Sequence, residues 1–347
     1  MAVCSPTALF RCDASPERGY GHVSRCLSVA RAIRAVRPWR IVFALGSDHA
    51  AQRVRGRGLE VSVRSSGEAM AAWLERILRE LSPQALFLDA PQGFPEALAA
   101  RRHAAGGLTV VLDDAGPLRR HGDAAYYPPA PAAYALDWTG CGTEVLCGFQ
   151  WAPLGEAFVR HPRVARTGPP RLLVTMGGSD PAGLALRAAE LLMTPPLSGT
   201  PWSALFVVGP YFAMKHELAV RLDRLDGRAE MVESPQDMGA LMAASDFALA
   251  SFGVSAYELA ASGVPAAYYC LTGEHAAMAG VFAREGMAIS FGVHDAVRQD
   301  EAARRTAELL RDPLALERMG RRAASLVDGK GAQRIAADLV RRVESLI

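Results

Sequence analysis

The sequence predicts an α/β protein made of two parallel-sheet halves, and three observations carry that expectation. Short apolar runs of strand length alternate with amphipathic helical stretches along most of the chain. The stretch Trp151 to Pro170, with Pro153, Gly155, Pro162 and Gly168-Pro169-Pro170, interrupts every regular pattern. Beyond it the same strand–loop–helix alternation starts again. The chain therefore reads as two Rossmann-like halves facing each other across a cleft, residues 1–155 and 170–330, followed by a closing helix over 331–347.

The first half opens with a strand, Thr7 to Cys12, that breaks at Asp13 into a loop carrying Gly19, Tyr20, Gly21 and His22. A helix follows at once, because Val23, Cys26, Leu27, Ala30 and Ile33 recur at helical spacing. His22 thus falls at a helix N-terminus. There the free N–H groups and the helix dipole disfavour a cation and keep an imidazole neutral, the form that accepts a proton. The alternative is a polar residue that merely fills a first-turn position.

Arg40 to Leu45 is the next strand, with a short helix through Val54. Leu59 to Val63 follows as a strand, Glu68 to Leu81 as a helix, Ala85 to Asp89 as a buried strand, Pro95 to Ala104 as a helix and Leu108 to Asp113 as another buried strand. Loops at the C-terminal ends of parallel strands collect ligand-binding groups, and Asp13, Asp89, Asp113 and Asp114 all fall there. Each can equally serve as a helix cap or turn residue.

The second half runs through strand Leu172 to Met176, a helix to Met193, and strands Ala204–Val208, Ala229–Val232, Phe247–Ala250, Ala266–Cys270 and Ala288–Phe291. From Asp300 onward it is helical. Two of its turns suit an anion. In Gly177-Gly178-Ser179-Asp180-Pro181 the glycines admit a close ligand, Asp180 can cap, and Pro181 suits the first helical position. In Ser251-Phe252-Gly253-Val254-Ser255-Ala256-Tyr257-Glu258, backbone N–H groups from Gly253 through Val254 to Ser255 suit a diphosphate, and Glu258 can hold ribose hydroxyls. Ser255 and Glu258 also match the S-x-x-E capping box, a purely structural device. After the next strand, His275 in Thr272-Gly273-Glu274-His275 either caps a helix or faces the cleft.

The 347 residues are 50% hydrophobic and 21% charged with a net charge of +2, a globular balance that argues against nucleic acid as a partner. No apolar run approaches the roughly 20 residues that span a bilayer, and the N-terminus lacks a signal-peptide pattern. The six cysteines show no CxxC or other metal-ligand spacing, which fits a reduced, cytoplasmic protein. HExxH, a P-loop and a GxSxG elbow are all absent from the sequence. Neither a metal nor a cofactor is expected, which leaves metal-free chemistry on a phosphorylated small molecule.

Several blocks together resemble a known family. They are RCDASPERGYGHVSRCLSVA, Leu112-Asp113-Asp114, CGFQWAPL from Cys147, LLVTMGGSDPAGL from Leu172, VVGP from Val207, and MGALMAASDFALA running into SFGVSAYELAASGVP. In that order they are similar to the nucleotide-sugar hydrolases of pseudaminic acid biosynthesis and their spore-coat polysaccharide relatives. The resemblance implies a GT-B fold and metal-free release of UDP from an amino sugar by water attacking the anomeric carbon with inversion. It assigns the general base to His22 and nucleotide binding to the second half: Gly177, Gly178, Ser179, Gly253, Val254, Ser255 and Glu258. Asp13 is expected to position the sugar or the imidazole, and Tyr20, Gly21, Arg25 and His275 to lie near the sugar. This chain has Phe252-Gly253-Val254-Ser255 where the pseudaminic members carry a GGST-type turn, and Glu274-His275 and Tyr127-Pro128-Pro129 where they carry Asn-Gln. The SFGV turn is nearer the spore-coat branch. A GT-B glycosyltransferase using the same donor and a non-catalytic nucleotide-sugar-binding protein are the rival expectations.

Overall fold

A computed structural model describes residues 5–15, 19–89, 93–128, 133–161 and 168–346. Pro16 to Arg18, Pro129 and Pro162, all quoted above, lie outside the described residues, as does Cys4, one of the six cysteines. The chain divides into two compact units, one formed by Met1–Gly155 with Lys330–Ile347 and the other by Glu156–Gly329.

The first unit is a seven-stranded, wholly parallel sheet. Its strands are β1 (Thr7–Cys12), β2 (Arg40–Leu45), β3 (Glu60–Val63), β4 (Ala85–Asp89), β5 (Leu108–Leu112), β6 (Ala124–Tyr127) and β7 (Glu144–Cys147), in the order β3-β2-β1-β4-β5-β6-β7. Five strands follow the apolar runs in the sequence. β6 and β7 are absent from the sequence expectation: β6 is the short run Ala124–Tyr127, and β7 is a partly exposed edge of four residues. The strand order reverses between β1 and β4, and the register sets Cys12 opposite Asp89. The loop after β1 and the carboxylate ending β4 therefore meet at one point on the sheet edge, the place where open α/β sheets bind ligands.

Alternation along β1 sorts the core. Ala8, Phe10 and Cys12 face the helices Gly21–Val36 and Gly331–Glu344, while Leu9 faces Trp73, Leu74 and Ile77 of the helix Met70–Leu81. Phe10 stacks between Phe43 at 5.2 Å and Phe87 at 4.9 Å, tying β2, β1 and β4 together. The terminal helix belongs wholly to this core: Ile335, Ala336, Leu339, Val340 and Val343 are buried in it, and Tyr126 donates to Asp338 at 2.5 Å. A Cβ on Gly331 would stand 2.1 Å from the Ala152 carbonyl oxygen, so the helix enters at a contact only glycine allows.

The second unit is a six-stranded parallel sheet of β8 (Arg171–Thr175), β9 (Ser203–Val208), β10 (Ala229–Glu233), β11 (Phe247–Ser251), β12 (Ala266–Cys270) and β13 (Ala288–Val293), in the order β10-β9-β8-β11-β12-β13. Its reversal point lies between β8 and β11. Among the described residues no helix is long and apolar enough to cross a membrane.

Leu339 is fully buried whereas Leu346 is 61% exposed. Leu339→Ala is expected to cost about 2–5 kcal/mol in urea unfolding of the first unit, and Leu346→Ala to stay within about 0.5 kcal/mol of wild type. Equal effects would mean that the terminal helix does not share this core in solution.

Candidate functional site

In the first unit four side chains form one hydrogen-bonded chain at the β1/β4/β5 edge. His22 is the second residue of the helix Gly21–Val36, which no side chain caps and whose first turn has no acid. Its Nδ1 lies 2.7 Å from Asp89 Oδ1. Arg25, three residues on and so on the same helix face, grips Asp89 through Nε at 3.1 Å and Nη2 at 2.7 Å, and reaches Asp113 Oδ2 through Nη1 at 3.0 Å. Asp89 is fully buried, Arg25 is 11% exposed, and the two ends of the chain, His22 and Asp113, are 30% and 38% exposed.

Burial alone would raise the Asp89 pKa, but the Arg25 guanidinium and His22 outweigh it and hold the carboxyl below its ordinary value. Burial likewise opposes the charge on Arg25, and Asp89 and Asp113 together push its pKa up instead. Asp89 is thus an anion at neutral pH. It accepts the Nδ1 proton of His22, which leaves the Nε2 lone pair free to take a proton. The Arg25 Nη2 to His22 Nδ1 separation of 3.1 Å is then a packing contact, since a protonated Nδ1 cannot also accept. An imidazole whose Nδ1 is fixed by a buried carboxylate has one of the geometries that can serve as a general base.

One expectation changes here. Asp13 does not hold the imidazole: its Oδ2 accepts from the buried Arg11 at 2.5 Å and its Oδ1 from the Gly46 N–H at 2.6 Å, joining the ends of β1 and β2. The partner is Asp89, because the strand reversal puts β4, not the loop after β1, opposite the helix start. Arg25, expected near the sugar, places its donors on Asp89 and Asp113. Tyr20 precedes the helix, its ring under Arg53 at 5.3 Å, and Gly21 begins it. The sequence signals for Asp89 were its strand-end position and the three-residue spacing of His22 and Arg25.

The second unit gathers its two turns at the β8/β11 reversal. Gly177 has φ +84°, and a Cβ there would meet Ser251 Oγ at 3.8 Å, so the turns are adjacent. Gly209, after β9, presses against the backbone of Gly178, where any Cβ would stand 2.0 Å from the Gly178 carbonyl. The helix expected from Pro181 starts later, at Leu184, because Asp180 and Gly183 adopt left-handed backbone and the Asp180 carboxylate accepts from the N–H groups of Leu184 and Ala185 at 2.8 Å each. That helix end is closed by its own acid, which leaves Gly177, Gly178 and Ser179 as loop positions. The helix Val254–Ala261 differs: Gly253 precedes it without a side-chain cap, so Ser255 lies inside the helix and forms no capping box with Glu258. Glu258 is half-buried one turn further in. Phe252, buried, anchors this turn with its ring 5.3 Å from both Tyr268 and Phe282.

His275 does not cap its helix, since Thr272 Oγ1 accepts from the His275 N–H at 3.2 Å. The His275 ring lies 6.2 Å from that of Phe252, its Nδ1 is buried without a partner among the described residues, and burial lowers its pKa. No group of three or more potential metal ligands occurs among the described residues.

Two doubly wound parallel-sheet units, each with polar groups at its strand-reversal edge, define a GT-B protein. Solved structures agree in fold: Acinetobacter baumannii MurG (TM-score 0.70, 15% identity, 97% of this chain and 100% of that one) and S. aureus MnaA with UDP (0.70, 11%, 99% and 98%). The spinosyn rhamnosyltransferase SpnG, solved with thymidine diphosphate, matches at TM-score 0.63 and 17% identity over 98% of this chain and 100% of that one. No family model matches the chain. Within the class, the chain is related to the spore coat polysaccharide biosynthesis protein SpsG of Bacillus subtilis (strain 168), 32% identical over 174 residues, which supports the spore-coat and pseudaminic family that the sequence blocks resemble. The aligned part is 48% of this chain and spans about half, 49%, of that relative.

A depressed carboxylate pKa stabilises the fold above the unfolded value and ceases to do so as pH falls through the lower folded value. For Asp89 that loss lies below its ordinary 3.8. Asp89→Asn, which leaves Arg25 under-paired, is expected to cost about 3–5 kcal/mol at pH 7. In urea unfolding followed from pH 7 to pH 3, its difference from wild type should shrink below about pH 4. A pH-independent difference would refute the buried ion pair.

Proposed function

We propose that this protein is a nucleotide-sugar hydrolase of polysaccharide or nonulosonate biosynthesis, acting in the cytoplasm on a UDP-linked amino sugar. The observation that carries the reading is His22, whose Nδ1 lies 2.7 Å from the buried Asp89 carboxylate at the sheet reversal. Relatedness to SpsG, a spore coat polysaccharide biosynthesis protein, supports the pathway class, and the UDP bound to S. aureus MnaA supports the nucleotide.

In this reading the second unit holds the diphosphate on backbone N–H groups of the Gly177–Ser179 and Gly253–Ser255 turns, with Glu258 toward the ribose and His275 toward the sugar. The first unit supplies the base. His22 Nε2 takes a proton from water as the water oxygen bonds to the anomeric carbon from the side opposite the phosphate. The bond from that carbon to the β-phosphate oxygen breaks with its electron pair, so UDP leaves and the sugar is freed with inverted configuration. Asp89 compensates the imidazolium formed in the step. UDP leaves readily, so N–H donors suffice for the departing charge and no metal is invoked.

The transferase reading rests on the fold shared with the rhamnosyltransferase. There the same base would act on an acceptor hydroxyl instead of water.

Incubation with UDP-, TDP-, CMP- and GDP-sugars, followed by NMR, tests these readings together. The hydrolase reading expects nucleotide release without added acceptor, an inverted free sugar, and a rate unchanged by chelator. Release only on addition of an acceptor would establish the transferase instead. His22→Gln is expected to lower the rate by about 10²–10⁴-fold while leaving nucleotide affinity unaltered, and a folded variant with wild-type turnover would remove His22 from the chemistry.

A further inference from the structure

The chain His22–Asp89–Arg25–Asp113 has two inner members that are buried and two ends that are exposed. The reaction proposed above uses one exposed end. The other, Asp113, stands in left-handed backbone at φ +54°, a conformation that aspartate adopts more readily than most residues with a side chain. The conformation has no capping purpose. The Asx-type turn here belongs to the next residue, Asp114, whose Oδ1 accepts from the Gly116 N–H at 2.6 Å. The Asp113 main chain is fastened by its N–H to the Tyr126 carbonyl at 2.9 Å, and its Oδ2 by Arg25 at 3.0 Å. A planar guanidinium that grips Asp89 on one side and Asp113 on another fixes the two carboxylates relative to each other, and through Asp89 fixes Asp113 relative to His22. A fixed backbone turn and a mostly buried arginine thus present one exposed carboxylate at a set position from the imidazole.

We propose that Asp113 is a sugar-contacting residue: its exposed carboxylate accepts hydrogen bonds from hydroxyl or amide N–H donors of the glycosyl group on which His22 acts. The assignment rests on the nucleotide-sugar reading. It makes Asp113 a determinant of specificity that favours neutral or cationic sugars with donors and disfavours sugars bearing a carboxylate, by like-charge repulsion.

The test compares wild type, Asp113→Gly and Asp113→Asn in calorimetric binding of UDP and of UDP-N-acetylglucosamine. Glycine adopts the left-handed backbone freely, and asparagine tolerates it while still offering Arg25 an acceptor. Both variants are expected to bind UDP with wild-type affinity; the asparagine variant, which keeps an acceptor for Arg25, is expected to melt near the wild-type temperature, and the glycine variant, which removes it, somewhat below. Affinity for UDP-N-acetylglucosamine relative to UDP should fall about tenfold or more in the glycine variant, the loss expected for a hydrogen bond to a charged group. In the asparagine variant it should fall in the same direction. An unchanged ratio in the glycine variant, or full restoration by asparagine, would overturn the assignment and leave Asp113 a support for Arg25. A wild-type protein that binds neither probe would instead overturn the nucleotide-sugar reading, and this assignment with it.

Discussion

The first unit depends on one buried ion pair. Asp89 has no exposure, and a carboxylate in that position is costly unless it is paired and hydrogen-bonded. Arg25 meets the demand with two N–H donors, and His22 supplies a third. The geometry follows from three constraints: the reversal that sets β4 beside β1, the register that puts Asp89 level with the end of β1, and the helical spacing that turns His22 and Arg25 to one face. Without any one of these the imidazole would be an ordinary polar group at a helix start.

The two units meet the same topological situation with different chemistry. At its reversal edge the first presents side chains of fixed orientation. The second presents backbone, through glycines whose missing Cβ atoms let loops approach one another, as Gly209 does over Gly178. An oriented imidazole suits proton transfer, while backbone N–H groups suit a diphosphate, whose charge is spread over several oxygens. The aromatic set of Phe252, Tyr257, Tyr268 and Phe282 stiffens the second unit's turn much as Phe10, Phe43 and Phe87 stiffen the first unit's central strands.

Much of the fold was legible because period and length are local properties. Apolar runs such as Ala85–Asp89 and Ala266–Cys270 read as strands, and the second unit begins at Glu156, inside the Pro/Gly-rich stretch Trp151 to Pro170. Four-residue strands such as β7, half-exposed at an edge, carry no such signature. Local chemistry also misled. Ser255 and Glu258 match a capping box, yet the helix begins two residues too early for it, and Asp180 caps a helix further along the chain than Pro181 suggested.

By itself the sequence determined the α/β class, the two halves, the helix start at His22 and the glycine turns, since each depends on neighbours within a few residues. It also placed four carboxylates on one sheet edge without distinguishing them. Only the tertiary structure decided that Asp13 pairs with Arg11, that Asp114 serves a turn, that Asp89 holds His22 and that Asp113 is left facing solvent. Which carboxylate meets which cation depends on strand order and register, and these are set by packing between residues some sixty and more positions apart, beyond the reach of any local pattern.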